Sequence, residues 1–239
     1  MSARILVLLL ACLFAGVAHA AETEWKAGEH YFLIEPPQPT DGDAIEVIEV
    51  FSYACPACNT FRPIADKIKE ALPDGATMSY LPAAFRTDED WPVFQRAFLT
   101  ARALGLVDKT HSDVFDAIWA GGPLAILDMN TRRPKDPMPT IEDVATFYAT
   151  YGVDAKEFVA TANSFAINTQ MKRADARIKA YGVDSTPTLV INGKYRVTGQ
   201  SAGSWDKLQE LVLFLVAKEA AARTAASETQ ATAEPSAKD

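Results

Sequence analysis

The spacing of hydrophobic positions along the chain changes at Cys55. Upstream, Ala44–Tyr53 (AIEVIEVFSY) is dense in Val, Ile and Phe, a strand pattern that suits cover on both faces, and Glu46 and Glu49 interrupt it. Downstream, Phe61, Ile64, Ala65, Ile68 and Leu72 recur at helical spacing until Pro73-Asp74-Gly75 ends the run. Thr77–Phe85 reads as a second strand, edged at Pro82. Residues 87–163 then carry helical patterns only. One stripe (Phe94, Ala97, Phe98, Ala101, Leu104) stops at Gly105, and another (Val114, Phe115, Ile118, Trp119) stops at Gly121-Gly122. After a Pro-containing connection, Thr140 caps a helix that ends at Gly152, and a short helix starts near Ala155. Trp91 and Trp119 read as core of this unit. A longer helix begins at Ser164. Thr188–Ile191 and Tyr195–Thr198 are strands joined by Asn192-Gly193, a two-residue hairpin signal, and a last helix spans Ser204–Ala222. One mixed sheet flanked by helices, with an all-helical insertion, accounts for this α/β order.

The two ends differ from the middle. Arg4, the apolar run Ile5–Ala18 and Ala18-His19-Ala20 form a secretory signal, with cleavage expected after Ala20. The run is shorter than a membrane span needs. Leu9-Leu10-Ala11 before Cys12 leaves a lipoprotein signal as a competing reading. From Arg223 the chain lacks aromatic and large aliphatic residues, so a disordered tail is expected. The expected divisions are a signal peptide (1–20), a sheet domain in two parts (21–86 and 164–222), the insertion (87–163) and the tail (223–239). Without the signal, 22 basic residues face 31 acidic ones, a balance that argues against nucleic acid as a partner.

The expected mature chain retains two cysteines, Cys55 and Cys58, separated by Pro56 and Ala57. A strand–CxxC–helix unit places the first thiol at a helix start. There Pro56 fits the first helical position, and free N–H groups and the helix dipole favour a Cys55 thiolate. Cys58, one turn in, can resolve a mixed disulfide. A stabilised thiolate stabilises the reduced protein and makes the disulfide a stronger oxidant. Other roles stay open for the pair. A structural disulfide closing so short a loop would add little stability. A zinc site would need further ligands, and only His30 and His111 remain, neither at ligand spacing. A copper carrier could use two thiolates alone. Far along the chain, Ser185-Thr186-Pro187-Thr188 enters a strand. That proline could be cis or an ordinary trans residue closing a loop.

Taken together, CPAC after EVFSY, GVDSTPTLVINGKY, LPDG after the first helix and ALGL-x-DK in the insertion resemble the DsbA family of thiol:disulfide interchange proteins, within the thioredoxin superfamily. The likeness runs from about Gly28 to Ala222. It implies a thioredoxin fold split by a helical domain, with Cys55 attacking, Cys58 resolving, and a cis Pro187 beside the sulfurs. It also implies that Thr186 offers backbone hydrogen bonds to a bound peptide, and that Pro63 kinks the first helix. Glu49, expected to be buried with a raised pKa, is a candidate proton acceptor for Cys58. The implied activity is a periplasmic oxidant of reduced or unfolded secreted proteins. It would act as a monomer without a dissociable cofactor or metal, and a membrane quinone-linked oxidase of the DsbB type would reoxidise it. A reductase or isomerase on the same scaffold, for example in cytochrome maturation, is the alternative. Two departures bear on redox tuning by Pro56 and Ala57 and on the buried acid. Ala57 stands where the best-known oxidants carry His, which predicts a milder oxidant, and MSYLPAAF offers no cation to Glu49 where relatives often place a Lys.

Overall fold

The computed structural model describes residues 25–40 and 42–233, with side chains through residue 229. The expected signal peptide and Cys12 lie outside the described residues. Five strands form one sheet in the order β1-β5-β4-β2-β3: β1 (Phe32–Leu33), β2 (Ile45–Phe51), β3 (Ala76–Pro82), β4 (Thr188–Ile191) and β5 (Tyr195–Val197). β2 and β3 run parallel, while β4 is antiparallel to β2 and β5, and β1 is antiparallel to β5. The β2–β3 crossover is helix α1 (Pro56–Ala71), which contains Pro63. This is the mixed, helix-flanked sheet of the expected thioredoxin fold.

Alternation along β2 assigns its side chains to two cores. Val47 packs with Phe61, Ile68, Leu211 and Leu215 of α1 and α8 (Trp205–Ala233) on one side. Ile48 and Val50 pack with Ala174, Ile178 and Tyr181 of α6 (Phe165–Ala180) and its C-terminal end on the other. Between β3 and α6 stand four helices: α2 (Trp91–Ala103), α3 (Val107–Trp119), α4 (Ile141–Ala149) and α5 (Ala155–Ala162). Thr140 caps α4 through a reciprocal pair with Asp143, and Asp154 and Ser164 cap α5 and α6. The core of this helical unit is continuous with Phe51, Tyr53, Ala54, Cys55 and Cys58, so the insertion packs directly behind the two cysteines.

Asn192 and Gly193 turn the β4–β5 hairpin with φ of 50° and 63°. A side chain at Gly193 would collide with the Gln38 carbonyl, so glycine is required there twice over. Two elements are absent from the sequence pattern: the two-residue β1 and the one-turn helix α7 (Gly199–Ala202). A third element is longer than expected. Helix α8 runs from Trp205 to Ala233, past Ala222, so the expected disorder does not hold for 223–233. Arg223 anchors the extension by donating to the carbonyls of Asp43 and Ala44 and to Asn192 Oδ1. Ala-rich sequence then favours helix once its first turn is held. Residues 234–239 lie outside the described residues.

Candidate active site

Cys55 is the N-cap of α1, in extended backbone with φ −90° and ψ 117°, and Pro56 occupies the first helical turn as its missing N–H allows. The Ser52 carbonyl accepts from the Cys55 N–H at 3.1 Å, closing the turn that delivers the strand into the helix. Both sulfurs are thiols. Cys55 is only 6% exposed and Cys58 not at all, but Pro56 and Ala57 beside them are exposed. Cys55 therefore lies just beneath the exposed Pro56-Ala57 turn, with Cys58 fully covered.

Thr186 and Pro187, more than a hundred positions away, are brought to Cys55. The Cys55 Sγ stands 3.5 Å from the Thr186 carbonyl oxygen, and the Thr186-Pro187 bond is cis. β4 carries the pair there, since Thr188 is in register with Val50 at the end of β2.

The two thiols are driven apart in acidity. The Cys55 pKa falls from 9.0 to about 6. The Cys58 thiol contributes most by donating to the Cys55 sulfur, and burial opposes it. The Thr186 side chain and the N–H groups of Cys58 and Ala57 at the helix start add to the lowering. Cys58 is pushed well above its ordinary value, first by burial, then by its bond to Cys55 and by the charge of Glu49. One sulfur is thus a thiolate near neutral pH and the other a thiol.

Glu49 is 3% exposed, on the same face of β2 as Val47 and Phe51. Burial, then Asp66 and the Cys55 charge, raises its pKa from 4.5 to about 8. Its register partner on β3 is Tyr80, which fills the place where a cation was missing from the sequence. The Tyr80 ring lies over His111 of α3, with centroids 4.2 Å apart, and the Tyr53 hydroxyl is 2.9 Å from His111 Nδ1. Burial, followed by the charges of Arg62 and Lys69, depresses the His111 pKa to about 3, so the imidazole is neutral and adds no cation beside Glu49. Sequence pattern did not single out Tyr53, Tyr80 or His111. Each is unremarkable in its own segment, and only the docking of α3 on the end of β2 joins them. Trp119, expected in the core, also donates to the Tyr53 carbonyl at 2.8 Å and ties α3 to the active-site turn.

Comparison with known proteins agrees with this geometry. A family model described as Thioredoxin matches residues 42–212. The thiol:disulfide interchange protein DsbA of Pseudomonas aeruginosa is 36% identical over 217 residues, covering 90% of this chain and 95% of that protein. The DsbA of Burkholderia cepacia is 30% identical over 212 residues, covering 88% and 93%. The crystal structure of Pseudomonas aeruginosa DsbA superposes with a TM-score of 0.71 over 84% of this chain and 97% of that one, at 36% identity. That of the oxidoreductase DsbA from Xylella fastidiosa gives 0.71 at 31% identity, over 81% and 97%. The chain belongs to the DsbA family of thiol:disulfide interchange proteins and is a protein thiol:disulfide oxidoreductase.

Proposed function

We propose that the protein donates its Cys55–Cys58 disulfide to reduced proteins in the periplasm. A substrate thiolate attacks Cys55 Sγ, the Cys55–Cys58 bond breaks, and Cys58 leaves and takes up a proton. A second substrate thiolate then attacks the substrate sulfur of the mixed disulfide. The substrate departs oxidised, and both electrons stay on the enzyme as the Cys55 thiolate and Cys58 thiol. A membrane quinone-linked oxidase of the DsbB type would remove them. When Cys58 instead attacks a mixed disulfide at Cys55, Glu49 accepts its proton, and the Thr186-Pro187 backbone holds the substrate; the charge of Glu49 felt at Cys58 and the 3.5 Å approach of the Thr186 carbonyl to Cys55 support these roles.

The observation that carries this reading is the asymmetry of the pair: a Cys55 with a pKa of about 6 at the helix start, beside the exposed Pro56 and Ala57, and a fully buried Cys58 that holds its proton. A low thiolate pKa makes Cys55 the better leaving group and the reduced enzyme the more stable form, which is the direction of an oxidant. Incubating oxidised protein with a reduced, unfolded multi-disulfide substrate tests it. Cys58→Ser carried as a preformed Cys55–glutathione mixed disulfide, which supplies the oxidising equivalent, should exchange glutathione for substrate and accumulate a substrate-linked adduct at Cys55, and Cys55→Ser treated with the same glutathione reagent should form none. The equilibrium of the pair with glutathione places the protein on the scale from oxidant to reductant. A strongly reducing value would make the protein a reductase.

A further inference from the structure

A concave pocket of about 380 Å3 lies on the α6 face of the sheet, beside the edge strand β3. Its floor is Leu81 and Ala174, and its walls are Arg102, Gln170, Arg173 and Arg177. Three guanidinium groups meet there with no carboxylate in the lining. Gln170, Arg173 and Arg177 form one stripe along α6, three and four positions apart, facing Arg102 near the end of α2. Arginines at i and i+4 repel, and Arg102 feels Arg177 strongly enough that its own pKa is lowered, behind the effect of burial.

Counter-charges are not scarce in this chain, which has 31 acidic residues against 23 basic ones. Arg62, Arg86 and Arg177 each reach a carboxylate. Arg102 and Arg173 reach none among the described residues. Arg102 is nevertheless oriented: one Nη donates to Gln170 Oε1 at 3.3 Å, and its Cζ lies 5.8 Å from the Phe98 ring centre. Arg177 is held more firmly, donating to Glu46 Oε2 at 2.8 Å and to the Tyr181 hydroxyl at 2.5 Å, and Glu46 also accepts from Ser79. The nearby acid Asp175 accepts from Gln95. An adjoining cavity of about 390 Å3 shares Arg102 and Arg177, but there Glu46 and Asp108 stand against them and Lys69.

We propose that the Arg102–Arg173–Arg177 pocket binds a small, multiply charged oxyanion bearing carboxylate or phosphate groups. The oriented Arg102 fork and the exposed Arg173 keep donors open to planar oxyanions beside the anchored Arg177, and repulsion among the three that costs the free protein is relieved when the anion enters. The volume lies at the small end of ligand pockets. The site is independent of the cysteines and of the thiol chemistry.

Calorimetric titration of the full-length protein with citrate and with pyrophosphate at low ionic strength tests the proposal. The expected result is saturable one-to-one binding. It should weaken at least about tenfold in Arg102→Ala and in Arg173→Ala, the loss expected for one charge-assisted contact. Arg102→Lys should recover little of it, because an ammonium lacks the planar fork. Lys172→Ala, which removes an equal charge from an exposed position on the same helix, should leave binding unchanged, and all variants should keep wild-type thiol exchange. Equal weakening in the Lys172 variant would reduce the effect to general charge screening. No saturable heat with either anion, or binding only to phosphatidylglycerol vesicles, would overturn the proposal.

Discussion

Two residues set the chemistry more than their size suggests. Ala57 sits in the first turn of α1, exposed beside Cys55, and contributes only a backbone N–H to the thiolate. A cation there would face the sulfur within a few ångströms, where an opposite charge lowers a pKa by about 1–3 units. Ala57→His should therefore move the pH midpoint of iodoacetamide alkylation at Cys55 below about 6. The same substitution should make the disulfide more oxidising, and a midpoint that stays put would mean that position 57 does not tune the pair. Glu49 is the second of the two residues. Its folded pKa is raised from 4.5 to about 8, so the native protein holds a proton that the unfolded chain has lost. Wild-type stability should fall as pH rises from 4.5 to about 8, while Glu49→Gln lacks that loss; the variant's advantage in thermal unfolding should grow across this window and level off above it. Burial alone would produce that stability effect. The proposed base role adds a kinetic one: Cys58 should release glutathione from a preformed mixed disulfide at Cys55 at least roughly 100-fold more slowly in Glu49→Gln.

At the scale of elements, what the sequence made legible was local. The strand–Cys-Pro-Ala-Cys–helix junction, the Asn192-Gly193 hairpin and the Thr140 and Ser164 caps each depend on residues within a few positions of one another, and all stand where the pattern put them. β1 was not legible, because two residues become a strand only through pairing with Arg196 and Tyr195. The reach of α8 was hidden for a similar reason: its apolar stripe stops near Val216, and the anchor of the extension is a carbonyl pair at the far start of β2. Within α8, Glu219 shows how much such distant partners matter. It is 2% exposed and accepts from Asn192 Nδ2 at 2.6 Å, Lys194 Nζ at 2.7 Å and the Tyr195 hydroxyl at 2.9 Å, joining the helix to the hairpin. Burial pulls its pKa up, but Lys194, Asn192 and Tyr195 together outweigh that pull and hold it below the ordinary value. Glu219→Ala takes the acceptor from the buried Asn192 amide and Tyr195 hydroxyl, while the half-exposed Lys194 turns to water, at a cost of about 3 kcal/mol. Thermal unfolding should read this as a drop of roughly 6–12 °C at neutral pH for a domain of this size. The deficit should shrink as acid protonates Glu219 in the wild type, because a group with a depressed folded pKa loses its contribution as pH falls through that value.

Over the whole molecule, the helical unit, the sheet and the two cysteines share contacts, so the redox state of the pair is coupled to the stability of the fold. Phe51, Tyr53, Cys55 and Cys58 belong to the same core as α2–α5, and Thr186 reaches them from β4. Every group that favours the Cys55 thiolate is present only when these parts are assembled. The thiolate therefore stabilises the folded, reduced protein, and the oxidised protein, which has no thiol, lacks that contribution. The sign follows from the direction of the shift. Cys55 drops from 9.0 in the absence of the fold to about 6 within it, so the contribution is complete above 9.0 and vanishes as pH falls through about 6. Cys58, raised well above 9.0, stays protonated in both folded and unfolded states over this range and does not offset it. At pH 7 the two Cys55 values leave roughly 1 kcal/mol in favour of the reduced form. Denaturant unfolding of the oxidised and reduced proteins, run in parallel from pH 5 to pH 8.5, should show stabilities whose difference is flat below about pH 6 and then shifts steadily toward the reduced form. A difference that does not change with pH would mean that the fold does not hold a Cys55 thiolate, and the proposed direction of electron flow, from substrate to this protein, would lose its driving force.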